Sequence, residues 1–150
     1  MQVFRICRKP YAAIDGLGGM YTSGRWHTKG HPIVYAATSA ALAALEVLLH
    51  VDPLSAPADL RLLTIELPPQ ISSETIDLAS LPKRWSAVPA PRALSRLGNA
   101  WLIDLRSAAL VVPSAIIPIE RNVLLNPRHP DAVHAHIVGS EPFTFDTRLL

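Results

Sequence analysis

The sequence predicts an α+β domain, and three observations carry the prediction. Segments with strand and helix patterning follow one another as strand, helix, several strands, helix, several strands, rather than in strict alternation. The fourteen prolines are dispersed from Pro10 to Pro142, which disfavours long helices and favours short elements joined by turns. Hydrophobic residues make up 49% of the chain and charged ones 17%, enough apolar side chain for a filled core and too little charge for a disordered chain. With 150 residues, one compact domain over 1–150 is expected.

The elements follow in order. Residues 3–7 read as a first strand. Residues 12–30 hold five of the seven glycines, at 16, 18, 19, 24 and 30, and read as a loop whose backbone can approach a ligand or take positive φ. Residues 33–37, entered through Pro32 and rich in β-branched side chains, read as a second strand. Thr38 or Ser39 caps a helix over 40–50, rich in Ala and Leu and closed before Pro53. Residues 60–67 alternate as a third strand that Pro68-Pro69 stops. Residues 70–90 are irregular, with a short strand expected at 75–78. A second helix is expected within 91–107, with Pro91 near its first turn. Its Leu94, Leu97, Trp101 and Leu105 form one apolar stripe. Residues 109–112, 122–125, 132–138 and 142–145 complete the strands.

Composition narrows the function. The formal net charge of +2 is small and no basic stripe interleaved with aromatics occurs, so direct nucleic-acid binding is not expected. Cys7 is the single cysteine and cannot form an internal disulfide, which fits a reducing cytoplasm. The N-terminus has no signal-peptide h-region. The longest apolar stretches, 40–49 and 108–112, are too short to span a bilayer, so no membrane association is expected.

The chemistry-bearing residues cluster in 23–50. Ser23-Gly24-Arg25-Trp26, Val34-Tyr35-Ala36-Ala37 and Ala43-Ala44-Leu45-Glu46 set an arginine, a tyrosine and a carboxylate on three consecutive short elements. An arginine fork matches phosphate oxygens. A tyrosine stacks on a flat ring and still donates a hydrogen bond. A carboxylate stabilises a positively charged sugar transition state. Together they point to a site that holds a phosphate-bearing nucleoside and breaks a bond at its ribose.

Each residue also has a plainer reading. On a helical projection Leu42, Leu45, Leu48 and Leu49 share one side, with Glu46 and His50 at its edge, one turn apart. The two either mark the solvent boundary or face a cleft. Arg25 is a solvated loop charge or a phosphate clamp. The glycines before it lack the strand–G-x-G-x-x-G–helix order of a dinucleotide fold. Tyr35 is a sheet tyrosine or a ring-stacking one. Arg5, between Phe4 and Ile6, needs a partner or an anionic ligand if its strand is central. Ser114, after Val111-Val112-Pro113, is a turn residue, and no G-x-S-x-G elbow makes it a nucleophile. Asn126-Pro127-Arg128-His129-Pro130 either holds ligand oxygens or only reverses the chain. The six histidines include His134-x-His136, two rings on one face of a predicted strand, but no H-E-x-x-H and no cysteine pair. No metal and no cofactor is expected.

Taken together, these segments resemble the RES domain, the toxin half of a bacterial toxin–antitoxin pair. The matching stretches are Val3-Phe4-Arg5-Ile6, Gly24-Arg25-Trp26, Val34-Tyr35-Ala36-Ala37, the run from Ala43 to His50, Val112-Pro113-Ser114, Asn126 to Pro130, and Phe143 to Leu149. The family's name-giving Arg, Glu and Ser map to Arg25, Glu46 and Ser114; Tyr35 and Arg5 match further pocket positions. His27 departs from the pattern, which often has asparagine there.

The resemblance implies a fold similar to ADP-ribosyltransferase toxins, with two small, mainly antiparallel sheets around a cleft that binds NAD⁺ as substrate. It implies removal of NAD⁺ by splitting nicotinamide from the ribose, with ADP-ribose passing to water, phosphate or a protein. Arg25 with Arg5 would grip the pyrophosphate and Tyr35 would pack on the nicotinamide. Glu46 would stabilise the oxocarbenium, and Ser114 would bind the ribose or a neighbouring side chain. Asn126 would be a further substrate contact. The implied partner is an antitoxin with a helix-turn-helix DNA-binding domain whose C-terminal part blocks the cleft, acting on a toxin homodimer. Three alternatives stay open: an ADP-ribosyltransferase with a dedicated protein target, a ribonuclease toxin, and a non-enzymatic binding module.

Overall fold

The computed structural model describes residues 1–149. Seven strands form a single sheet: β1 (Gln2–Arg8), β2 (Val34–Ala37), β3 (Leu60–Glu66), β4 (Ser73–Thr75), β5 (Ala109–Pro113), β6 (Arg121–Leu125) and β7 (His136–Pro142). Their order is β4-β5-β6-β2-β1-β3-β7. β4 and β5 are parallel; every other pair is antiparallel. Helices α1 (Gly18–Tyr21), α2 (Ala40–Leu48) and α3 (Arg92–Ile103) complete the regular structure, with several short 3₁₀ turns.

The expected pair of sheets is thus one sheet, although it is nearly divided. β1 pairs with β3 along seven residue pairs, from Gln2↔Glu66 to Arg8↔Leu60. β1 meets β2 only at Phe4↔Ala37. Beyond that pair the two strands diverge, and a sheet that splays in this way leaves a gap between its halves.

Alternation sorts the side chains. Val3, Val34, Ala36, Leu63, Ile65, Val123 and Leu125 are buried together in one core layer. The opposite face carries two further clusters. Ile6, Ala37 and Leu60 pack with Leu42 and Ala43 of α2. Leu110, Val112 and Leu124 pack with Trp26, Trp85 and the Leu94, Trp101 and Leu102 of α3. The buried indole of Trp101 is satisfied: its Nε1 donates to Ser107 Oγ at 2.8 Å. Both helices therefore cover one face.

α2 begins at Ser39, whose hydroxyl accepts from Leu42 N at 3.1 Å. Its buried residues are Leu42 and Ala43, not the projected leucine row; Leu49 is 64% exposed. The stripe is rotated toward Ala43 and Val47, and this turns Glu46 inward. On α3 the buried set is Leu94, Gly98, Trp101 and Leu102, while Leu97 lies outward.

The end of α3 is a Schellman turn. Arg106 N donates to Trp101 O and Leu105 N to Leu102 O. Leu105 stands at the left-handed position, with φ 50°, where glycine is the least strained residue. This ends the helix four residues before the expected bound and points Leu105 into solvent rather than the stripe. Leu105→Gly is expected to raise stability by about 0.5–1 kcal/mol, read as a higher urea midpoint with an unchanged slope.

The remaining differences lie near the sheet edges. The short strand expected at 75–78 forms at Ser73–Thr75, where it pairs with β5. Residues 130–134 form a 3₁₀ turn started by Pro130, and β7 follows at His136–Pro142. His134 and His136 therefore do not share a strand. No separate strand forms at 142–145: β7 already runs to Pro142, and Phe143 and Phe145 meet edge to face, centroids 5.1 Å apart at 87°, against the α2 cluster.

Candidate active site

Where β1 and β2 part, a cavity of about 410 Å³ opens, within the range of roughly 300–1,000 Å³ common for small-molecule sites. Phe4, Arg5 and Ile6 of β1, Tyr35 to Ala37 of β2, and Ala43, Glu46, Val47 and His50 of the α2 region line it. Gly18 and Gly19 of α1, loop residues Thr22 to Arg25, His27 and Ile33, and Asn122 of β6 complete the wall. Arg5, Arg25, Tyr35 and Glu46, all picked out in the sequence, thus face one space. Glu46 and His50 sit at the cleft and not merely at a solvent boundary.

The loop that presents Arg25 is a tight turn. Gly24 and His27 form an isolated antiparallel bridge, with Gly24 N donating to His27 O at 3.1 Å. A Cβ at Gly24 would lie 2.6 Å from Tyr35 Oη, so the approach of the loop to Tyr35 requires glycine. The turn sends Trp26 into the core at 2% exposure and leaves Arg25 half-buried at the cleft.

Both arginines tie a loop to the cleft wall with one nitrogen. Arg25 Nη1 donates to Trp85 O at 2.9 Å and Ala87 O at 3.0 Å. Arg5 Nη1 donates to Ala13 O at 2.8 Å and Tyr11 O at 3.3 Å. Each guanidinium keeps further N–H groups for an anion. Burial pulls the Arg25 pKa down, and the nearby Glu46 carboxylate and Tyr35 oppose that pull. A second anion in the cleft would favour the charged fork further.

Tyr35 is held by a chain of hydrogen bonds. Trp26 N donates to Tyr35 Oη at 3.3 Å. His27 Nε2 lies 2.9 Å from Thr22 O, and a carbonyl only accepts, so Nε2 carries the ring proton. Nδ1 then accepts from Tyr35 Oη at 2.7 Å. Burial pushes the Tyr35 phenol well above its usual range, against the Trp26 hydrogen bond and the Arg25 charge. Tyr35 is therefore a neutral phenol at neutral pH, suited to packing and positioning rather than to proton abstraction.

His27 is buried, and burial lowers its pKa below the usual imidazole value, against carbonyl contacts to Thr22 and Gly19. The unfolded chain consequently binds a proton here more readily than the folded one. The stability contributed by neutral His27 is complete above about pH 6.5 and is lost as pH falls through the lowered folded value. His27→Asn is expected to shrink the drop in urea midpoint between about pH 7.5 and 5.5. An unchanged drop would remove His27 from the account.

Ser114 belongs to the site through another residue. It is fully buried, donates to Glu46 Oε1 at 3.0 Å, and its Oγ accepts from Ile116 N and Ile117 N at 3.1 and 3.3 Å. Of the two partners expected for it, ribose or a neighbouring side chain, the structure shows the side chain. Asn126 is a correction. It is 1% exposed, its Nδ2 donates to Leu102 O at 3.1 Å and its Oδ1 accepts from Arg128 N at 3.1 Å. It holds the end of α3 against the 126–130 loop and lies outside the cleft wall.

Asn122 was missed by the sequence reading. Its Nδ2 donates to the same Glu46 Oε1 at 2.6 Å. The available signal was an amide beside the apolar run Val123-Leu124-Leu125 on a central strand, a place that favours β-branched residues. Among the described residues, no group of three His, Cys, Asp or Glu side chains gathers as a metal site. Among these residues no helix is long and apolar enough to cross a membrane.

Comparison with known proteins identifies the family. A family model described as RES domain matches residues 2–146. A Pseudomonas putida protein named Toxin Res is 49% identical over 141 residues, covering 93% of this chain and 94% of its own. A Sphingobium protein named Prs ADP-ribosylating toxin is 39% identical, with 91% and 86% covered. Among solved structures, the M. tuberculosis MbcT–MbcA toxin–antitoxin complex contains a chain similar in fold, with a TM-score of 0.76 at 19% identity over 95% of this chain and 84% of that one.

Proposed function

The chain belongs to the RES domain family, and on that premise we propose that it is a toxin that breaks the bond between nicotinamide and ribose in NAD⁺. The observation that supports this reading most is the convergence of Arg25, Tyr35 and Glu46 on one cavity at the splayed β1–β2 junction. A dinucleotide needs a cation for its pyrophosphate, an apolar surface for its rings and negative charge near the ribose that reacts, and these residues supply all three.

The chemistry balances without a metal or a redox partner. The C–N bond between ribose C1 and the pyridinium nitrogen breaks, and its electron pair neutralises the ring, so nicotinamide leaves uncharged and needs no acid. The ribose becomes oxocarbenium-like and is trapped by an acceptor oxygen that loses a proton. Glu46 places negative charge against that centre. Its Oε1 is held by Ser114 and Asn122, which leaves Oε2 for the substrate. Arg25 and Arg5 fix the pyrophosphate end, and the Tyr35 ring packs against the nicotinamide end.

Water is the acceptor in the simplest case. A second reading, transfer of ADP-ribose to a protein, is favoured by the name of the Sphingobium relative, an ADP-ribosylating toxin. The names of the relatives and the toxin–antitoxin complex of the fold neighbour support a cognate antitoxin as partner. Purified chain given NAD⁺ is expected to release nicotinamide, and RNA incubated in parallel is expected to stay intact. NAD⁺ labelled in its adenylate half, added with a cell extract, separates the acceptors: free ADP-ribose means water, a discrete labelled band means a protein target. Intact NAD⁺ with cleaved RNA would overturn the proposal.

A further inference from the structure

We infer that Asn122 is a positioning residue that holds the Glu46 carboxylate in a single orientation, with one oxygen fixed and the other presented to the cleft. The inference rests on Glu46 being the acting carboxylate proposed above.

Asn122 occupies the middle of the sheet, with Ala37 and Val112 as its cross-strand neighbours. Both flanking strands are apolar there, and an aliphatic β-former would suit the position better. The amide instead donates to Glu46 Oε1 at 2.6 Å, a short bond of the charge-assisted kind. Its Oδ1 is buried and has no protein hydrogen-bond partner among the described residues. A buried acceptor left unpaired lowers stability. Turning the amide over would not relieve it, because an amide oxygen would then face a carboxylate oxygen. The orientation seen is the only one in which Glu46 gains a donor.

Ser114 supplies the second donor to the same oxygen, at 3.0 Å, and its own Oγ is fixed by two backbone N–H groups. The two donors arrive from different strands, β6 and the end of β5. Two bonds to one carboxylate oxygen fix both the position and the rotation of the group, which a single bond does not. Transition-state stabilisation by a charge depends on such prior placement.

The test uses two isosteric variants of the full chain. Asn122→Leu removes the donor and the unpaired oxygen together; Asn122→Asp keeps the shape and puts an acceptor against Glu46. Nicotinamide release is expected to fall in kcat by about tenfold to a hundredfold for Asn122→Leu, and further for Asn122→Asp, with KM for NAD⁺ within about threefold in both. A role in shape alone predicts near-normal kcat for Asn122→Asp. A rise in KM at unchanged kcat would make Asn122 a substrate contact instead; either result overturns the proposal.

A second measurement does not depend on NAD⁺ chemistry. Asn122→Leu is expected to lower Tm when Glu46 is present and to raise it in a Glu46→Ala background, where the amide has lost its partner. The two shifts should differ by about 5 °C. Equal shifts in both backgrounds would show that the amide and the carboxylate do not act as a pair. If the unaltered chain does not consume NAD⁺ at all, the proposed reaction fails, and the Tm comparison alone then decides whether Asn122 anchors Glu46.

Discussion

Glu46→Gln is expected to lower the rate of nicotinamide release by roughly two to four orders of magnitude while changing NAD⁺ affinity only a few-fold. The substitution isolates charge from shape. Ser114 Oγ and Asn122 Nδ2 both donate to Glu46 Oε1, and a glutamine carbonyl oxygen accepts both bonds in the same place. What disappears is negative charge beside a ribose that becomes positive only on the way to the transition state. An interaction of that kind appears in kcat rather than in ground-state binding. Burst-free steady-state assays of nicotinamide release, with affinity measured separately by calorimetry, give the two numbers. Near-normal turnover in the variant would take Glu46 out of the mechanism. A large loss of affinity at normal turnover would make it a binding group only.

The second large effect concerns the scaffold. Gly98→Ala is expected to destabilise the protein by about 3 kcal/mol, or about 10 °C in Tm. Helix propensity alone predicts the opposite sign, since alanine in a helix interior is favoured over glycine by about 1 kcal/mol. Packing decides against propensity here. A Cβ at Gly98 would lie 1.6 Å from Trp26 O and 2.7 Å from Trp26 C. Both are backbone atoms, on a loop whose Trp26 side chain is buried among Leu94 and Trp101. Either α3 or the Gly24–His27 turn must then move. Because that turn carries Arg25, activity should fall together with stability. A variant as stable as the unaltered chain would show that α3 and the arginine loop are not in the close contact described.

The order of elements was legible because each local signal agreed with its surroundings. Residues 60–67 alternate up to the stop at Pro68-Pro69, and Ser39 offers the cap that α2 uses. The cleft residues were legible for a different reason: Arg25, Tyr35 and Glu46 lie in segments whose order matches a family pattern, and the fold brings them together. What stayed hidden depends on contacts distant in sequence. The single Phe4↔Ala37 link that makes one sheet of two halves leaves no local trace. The inward face of α2 is set by Ala43 packing on Ile6 and Leu60, so a projection weighted by leucine size turned the helix too far. Gly98 reads as a weak helix residue until Trp26 O is seen against it. Asn126 and Asn122 show the same limit from opposite sides. One stood in a recognised motif and turned out to bond the end of α3; the other stood in a plain strand and turned out to bond Glu46.

The most direct test of the central claim is a crystal structure of the Glu46→Gln variant soaked with NAD⁺. The dinucleotide is expected in the cleft between β1 and β2, its pyrophosphate on Arg25 and its nicotinamide ribose within hydrogen-bond reach of position 46. NAD⁺ bound on another face, or a cleft that stays empty at millimolar NAD⁺, would contradict it.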